Sequence, residues 1–119
     1  MPSMWRDHPP GPVHEPIRLQ LPGMSASSEG EIVHAVAHVS GRVQGVGFRW
    51  WTMYRAAEAG LRGSAVNLPD SRVEVHLEGP REAVEAMLVD LGRGPGSARV
   101  AAVDVSWQAP SGVTGFDIG

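Results

Sequence analysis

The chain contains neither cysteine nor lysine, and both absences narrow its chemistry. Without cysteine it has no disulfide framework, no thiolate nucleophile and no cysteine-ligated metal site, so its stability must come from packing. The missing cysteine also favours a reducing compartment, and the amino terminus lacks the apolar core of a signal peptide. We therefore predict a cytoplasmic protein. All ten basic residues are arginine, which we attribute to coding bias rather than to function.

Long apolar runs and blocks of like charge are also missing. No stretch approaches the roughly 18 apolar residues that a membrane span needs. The net charge is −3 without any basic block, which argues against a nucleic-acid partner. No spacing of Asp, Glu and His suggests a Mg²⁺ site. A length of 119 residues fits one domain with, at most, a tail.

The chain divides into a proline-rich leader and a patterned domain. Residues 1–30 show neither a helical nor a strand period, and we expect a disordered tail there. In the predicted domain, residues 31–119, apolar patterns indicate strands at 31–39, 61–68, 72–77, 98–107 and 116–118, and helices that begin at Phe48 and Pro80 and end at Gly60 and Gly92. This order predicts an α+β fold, a ferredoxin-like α/β sandwich (βαββαβ plus a short C-terminal strand). Two helices should cover one face of a mostly antiparallel sheet.

Alternation within the strands predicts which side chains are buried. The core face of the first strand should carry Val33, Ala35, Ala37 and Val39. The opposite face carries Ile32, His34, Val36 and His38; we expect this face to be partly solvated, with His34 and His38 exposed. Residues four apart on a strand are separated by about 13 Å, so His34 and His38 are too distant to share a metal. In the fourth strand we expect an irregularity near Ala101.

A glycine-punctuated loop, Ser40 to Arg49, connects the first strand to the first helix. Its glycines allow backbone N–H groups to converge on one point without obstruction by Cβ atoms. The helix that follows begins with unsatisfied N–H groups, and Arg49 in its first turn carries a planar fork that matches two phosphate oxygens. The loop therefore predicts a site for a phosphate-sized anion. The residues also allow two simpler interpretations, a tight connection and a surface arginine.

Asn67, the only asparagine of the chain, is predicted at the end of the second strand, near the edge where the loop opens. Its amide can donate and accept, so it could hold a water molecule in line with a phosphorus atom. It could equally be a turn residue that is hydrogen-bonded to its own backbone. Residue by residue, the sequence thus predicts an anion-binding ferredoxin-like domain.

The stretch Gly41-Arg42-Val43-Gln44-Gly45-Val46-Gly47-Phe48-Arg49, followed at matching spacing by Gly60-Leu61-Arg62-Gly63, Asn67 and Asp70, resembles the acylphosphatase family over residues 32–118. The resemblance implies an enzyme that hydrolyses the carboxyl-phosphate anhydride of acyl phosphates to a carboxylate and inorganic phosphate. It implies metal-free, in-line attack of water without a cofactor. The partners would be a small-molecule acyl phosphate and inorganic phosphate as product and inhibitor, with no nucleic acid or membrane, and the protein would be a monomer.

The same resemblance implies roles for individual residues. Arg49 and Asn67 would be catalytic, with Asn67 orienting the attacking water. The phosphoryl group would be bound by the backbone N–H groups and the arginine side chain of one segment, namely Arg42, Val43, Gln44, Gly45, Val46, Gly47, Phe48 and Arg49.

Two places in the sequence depart from the family pattern. Ser64, Ala65 and Val66 stand where the family has an aromatic residue, a valine and a basic residue, which removes a large packing side chain. Ser71 replaces the glycine of an Asp-Gly turn and is expected to tilt the hairpin, and with it Asn67, slightly. The alternative function is a non-catalytic anion- or phosphate-binding regulatory module of the same fold. A detached relative of the acylphosphatase-like domain of larger carbamoyl-transfer maturation proteins is disfavoured, because no further domain follows Gly119.

Overall fold

The computed structural model describes residues 30–119, which form one five-stranded sheet and two helices. The elements are β1 (Ile32–Arg42), α1 (Phe48–Glu58), β2 (Arg62–Asn67), β3 (Val73–Pro80), α2 (Arg81–Arg93), β4 (Arg99–Gln108) and β5 (Phe116–Ile118). The predicted order of strands and helices is confirmed. The predicted tail, apart from Gly30, lies outside the described residues. Neither helix in residues 30–119 is long and apolar enough to cross a membrane.

The sheet has the strand order β4-β1-β3-β2-β5. Strand β1 pairs antiparallel with β3 and β4, β2 pairs antiparallel with β3, and only β5 runs parallel to its neighbour β2. Both helices pack on one face. The fold is therefore the expected ferredoxin-like α+β sandwich.

The core lies between this sheet face and the helices. The β1 residues predicted to face it are all buried, and β3 adds Val73, Val75 and Leu77, each fully buried. The helices contribute the buried apolar side chains Phe48, Ala56, Val84, Met87, Leu88 and Leu91. The two amphipathic patterns thus meet across one layer, which fixes the direction in which α1 leaves the sheet.

Two predicted helix ends are wrong by one or two residues. Pro80 does not open α2, because β3 continues to it: Pro80 pairs with Ile32, and the next amide, Arg81 N, donates to Glu31 O at 2.8 Å. Gly92 does not end α2, because the helix continues to Arg93 and stops at Gly94, which has φ 65°. A glycine ends a helix when its backbone is left-handed, as at Gly94; Gly92 does not have a positive φ and remains inside the helix.

The prediction that His34 is exposed is wrong, since it is 6% exposed, and Val36 on the same face of β1 is 4% exposed. The segment after β4 covers part of this face, since the Ser111 and Gly112 amides donate to the buried Glu78 carboxylate at 3.0 and 2.8 Å. His34 lies beside the same carboxylate, with Nδ1 3.4 Å from Glu78 Oε1. His34 is buried because the segment with Ser111 and Gly112 packs over it, and the alternating pattern of β1 cannot predict a contact with a distant segment.

A β-bulge lies at the end of β1, just before the loop. Ser40 pairs with Ala102 but Gly41 pairs with Val100, so Ala101 has no partner and the predicted irregularity is confirmed. A Cβ atom at Gly41 would lie 2.2 Å from the carbonyl oxygen of Arg99, so only glycine fits. Bulges bend a strand and increase its twist. This bend directs the chain from the sheet into the loop that begins α1.

Candidate active site

The segment between β1 and α1 has backbone N–H groups that are not hydrogen-bonded to the rest of the protein. Gly47 is the N-cap of α1 in a left-handed conformation, φ 81°, and no side chain caps the helix. Within residues 30–119, no backbone amide from Gln44 to Trp50 donates to a carbonyl or side chain of the chain. Consecutive free N–H groups at a helix N-terminus form a concave, electropositive surface that suits an oxyanion.

We call residues 43–50 the amide loop. It is anchored in the core by Val43 and Phe48, which are each 1% exposed. Two side-chain hydrogen bonds fix its middle. Ser97 Oγ donates to Val46 O at 2.8 Å, and the Gln44 amide donates to the turn after β2. Arg42, the first of the predicted phosphate-binding residues, is still part of β1 and pairs with Arg99. The loop therefore begins after Arg42.

Arg49 is the second residue of α1 and is half-buried. Its Nη1 donates to the backbone oxygen of Gly119, and the Gly119 amide in turn donates to Ala65 O at 3.1 Å. No Asp or Glu carboxylate in residues 30–119 lies within ion-pair distance of Arg49. The guanidinium is thus directed toward β2, and most of its donors are available to an anion.

Asn67 is the last residue of β2, paired with Val73. Its Oδ1 is buried and has no hydrogen-bond partner in the described part of the chain. The turn-residue interpretation is therefore not supported: within the turn itself, the side chain that bonds the backbone is that of Asp70, whose Oδ1 accepts from Arg72 N at 3.2 Å. A buried amide acceptor without a protein donor needs a water or ligand hydrogen.

The amide loop and α1 reach β2 on both sides of Asn67. Gln44, in the loop, bonds to the carbonyl of Leu68, the residue after Asn67. Arg49, in the helix, is linked through Gly119 to Ala65, two residues before it. The structure therefore brings the loop, the guanidinium and the asparagine to one edge of the sheet.

Asp70, three residues after Asn67, carries the acidic side chain nearest to Asn67 in the sequence. The pKa of its carboxyl is lowered from the ordinary value of 3.8, first because the Arg72 backbone N–H donates to it and then because the Arg72 guanidinium adds a second bond, 2.8 Å long. The carboxylate thus stabilises the turn while its charge is paired with Arg72. In residues 30–119, no group of three or more His, Asp or Glu side chains is arranged to hold a metal ion.

Sequence reasoning missed two contacts of the site. Gln44 was assigned a role only through its backbone N–H, and Gly119 was assigned none. In both contacts the acceptor is a backbone oxygen: the Gln44 side chain donates to Leu68 O and Arg72 O, and the Arg49 side chain donates to Gly119 O. Such partners carry no residue signature, so only the strand register reveals them.

Comparison with known proteins gives a consistent result. The acylphosphatase family model matches residues 35–118. The acylphosphatase of Thermus thermophilus is 54% identical over 83 residues, which cover 70% of this chain and 94% of the relative, and that of Nocardia farcinica is 52% identical over 89 residues, covering 74% and 89%. The crystal structure of the acylphosphatase from Bacillus subtilis superimposes with a TM-score of 0.71 at 32% identity, covering 73% of this chain and 98% of that one. This chain belongs to the acylphosphatase family.

Proposed function

We propose that this acylphosphatase hydrolyses the carboxyl-phosphate bond of small acyl phosphates by in-line attack of water, without a metal or cofactor. The observation that carries the proposal is the run of backbone amides without a partner from Gln44 to Trp50, with Arg49 inside it and the buried, unpartnered Asn67 Oδ1 at the same edge of the sheet. The amides and the guanidinium bind the phosphoryl group, and Asn67 orients the water. Inorganic phosphate is then both product and inhibitor.

Phosphoryl transfer makes modest demands on the protein. The transferred group carries its charge on three equatorial oxygens, so donors held in place stabilise the transition state. The amide loop and the Arg49 fork supply such donors. Asn67 Oδ1 accepts one hydrogen of the water, which leaves a lone pair of the water directed at phosphorus. The new P–O bond forms as the bond to the carboxylate breaks, and a phosphate oxygen takes the proton.

Hydrolysis of benzoyl phosphate by the full chain in EDTA tests the proposal. We expect Asn67→Ala to lower kcat by about 10²-fold or more with a smaller change in the inhibition constant for inorganic phosphate, since a lost orienting group costs rate rather than anion binding. Arg49→Gln should lower kcat/KM by a similar factor and weaken phosphate inhibition, since it removes a bidentate donor.

Arg93→Gln is the matched control for the lost positive charge, because the Arg93 side chain is 73% exposed and its ion-pair partner is Asp90 on the same helix. It should leave both constants within about twofold of the wild type. Decay of benzoyl phosphate at the buffer rate in the presence of the wild-type protein would refute the catalytic proposal.

The alternative, a non-catalytic phosphate-binding module, is not favoured, since the curated relatives that this chain matches over nearly their whole length are acylphosphatases. Phosphate-induced NMR shifts in the amide loop without any turnover would be its signature.

We further propose a cytoplasmic monomer without a nucleic-acid or membrane partner, supported by the modest net charge of −3. Light scattering at a mass near 12.7 kDa would support the monomer.

A further inference from the structure

The side chain of Gln44 connects two parts of the site that are distant in sequence. Its Nε2 donates to Leu68 O and to Arg72 O, both at 2.9 Å. Leu68 and Arg72 flank the turn between β2 and β3. Gln44 therefore contributes its backbone to the amide loop and its side chain to the turn that follows Asn67.

The orientation of this amide is determined by its partners. Both are carbonyl oxygens and can only accept, so the nitrogen of Gln44 must face them and both of its hydrogens are used. The same two oxygens also close the turn, because Leu68 N donates to Arg72 O at 2.8 Å and Ser71 N to Leu68 O at 3.1 Å. Each carbonyl thus accepts two hydrogen bonds, one from the turn and one from Gln44. No other residue type of similar length supplies two hydrogens from one uncharged nitrogen.

We infer that Gln44 is a positioning residue, which sets the distance between the bound phosphoryl group and Asn67; this inference rests on the proposed function. The phosphoryl group is held by the amide loop, whereas the water is held by Asn67 on β2. A rate that depends on in-line geometry requires the two to keep a fixed separation, and an error of about 1 Å can cost up to 10²-fold in rate. The Gln44 bonds join the loop to the residue directly after Asn67.

This role separates rate from affinity. Phosphate binds to backbone amides and Arg49, and neither needs the Gln44 side chain. A change that removes only the two side-chain hydrogen bonds should therefore lower kcat by about 10-fold to 100-fold and change the inhibition constant for inorganic phosphate by less than about threefold.

Gln44→Met is the variant that tests this separation, since methionine has a similar length and no donor. Gln108→Met is the matched control, because Gln108 is an exposed residue at the end of β4 without a side-chain hydrogen bond in the described residues. Gln108→Met should keep the wild-type kcat and phosphate inhibition. Equal losses of kcat and of phosphate affinity in Gln44→Met would overturn the inference and assign Gln44 to phosphate binding. An unchanged kcat would overturn it as well.

Two measurements address the geometry itself. Because Asn67 is the only asparagine of the chain, ¹⁵N-asparagine labelling gives a single side-chain ¹⁵N amide signal. We expect this signal to shift or broaden in Gln44→Met and to stay unchanged in Gln108→Met. If Gln44→Met does not fold, the wild-type protein still decides the matter: both Gln44 side-chain hydrogens should exchange with solvent more slowly than those of Gln108. Exchange at the Gln108 rate would refute the contact.

Failure of this inference differs from failure of the proposed function. If Asn67→Ala loses activity but Gln44→Met retains the wild-type kcat, only the positioning role is lost. If Asn67→Ala retains the wild-type kcat, the water-orienting role of Asn67 fails, and Gln44 has no partner to position.

Discussion

Ser71 has a left-handed backbone with φ 76°, and among residues 30–119 no other residue except glycine has a positive φ. It lies in the turn that Gln44 contacts, and its amide donates to Leu68 O. A side chain with a Cβ atom pays roughly 1–2 kcal/mol for this conformation. The turn therefore keeps its shape through the surrounding hydrogen bonds despite an unfavourable residue.

We predict that Ser71→Gly raises the free energy of unfolding by about 0.5–1 kcal/mol, because glycine adopts this backbone without strain but gains freedom in the unfolded chain. Urea unfolding followed by tryptophan fluorescence measures the change. Ser64→Gly, in β2, is the matched control and should lose stability, since glycine weakens a strand. If both variants lose stability, the strain at position 71 is not relieved by glycine.

At the scale of the elements, two glycines that face open space, one inside α2 and one just after α1, test the role of backbone conformation. A Cβ atom at Gly92 or at Gly60 would meet nothing within 4 Å. Gly92 lies inside the helix, whereas Gly60 follows α1 with φ 74°. Packing is therefore equal at the two positions, and only the backbone angle differs.

We predict opposite effects for the same substitution. Gly92→Ala should stabilise the protein by about 0.5–1 kcal/mol, because alanine loses less conformational entropy in a helix. Gly60→Ala should destabilise it by about 1–2 kcal/mol, because alanine is strained in a left-handed conformation. Thermal unfolding of both variants compares them directly. A loss of stability in Gly92→Ala would contradict the assignment of this position to the helix interior.

The same elements show what could be predicted from the sequence. The alternation of β1 and the motif from Gly41 to Arg49 identify the core face, the fold and the loop, because they depend on neighbouring residues. The burial of His34 and the bonds of Gln44 depend on the segment at Ser111 and on the turn after β2, which only the folded chain brings close. Helix ends can be predicted only approximately, since a glycine such as Gly92 ends a helix only if its backbone becomes left-handed.

At the scale of the whole molecule, stability depends on pH through carboxylates on the sheet face opposite the helices. Burial raises the pKa of Glu78, but hydrogen bonds from Ser111 and Gly112, with His34 nearby, outweigh it and hold the pKa below its ordinary value of 4.5. The pKa of Glu74 is also lowered, first by a hydrogen bond from His38. Because these groups bind protons less readily when folded, their contribution is present above the unfolded pKa and is lost as the pH falls through the folded pKa.

We predict that the free energy of unfolding decreases as the pH falls below about 4.5, and that Glu78→Gln flattens this dependence. At neutral pH, Glu78→Gln should cost about 1–3 kcal/mol, because its amide nitrogen would face the Gly112 or Ser111 donors. Urea unfolding at several pH values tests both statements. Glu82→Gln, an exposed change in α2, controls for net charge. An equal slope in Glu78→Gln and the wild type would exclude Glu78 as the source.

The strand order also determines when the site can exist during folding. Among residues 30–119, the only pairing between strands adjacent in sequence is the β2–β3 hairpin, whereas β1 must pair with both β3 and β4, for example Ala37 with Val105. Strands that are distant in sequence must therefore come together before most contacts form, and the entropy lost in closing these long loops slows folding. The Arg49 contact with Gly119 comes from the far end of the described chain. During synthesis, the amide loop thus leaves the ribosome long before the residues that complete its surroundings.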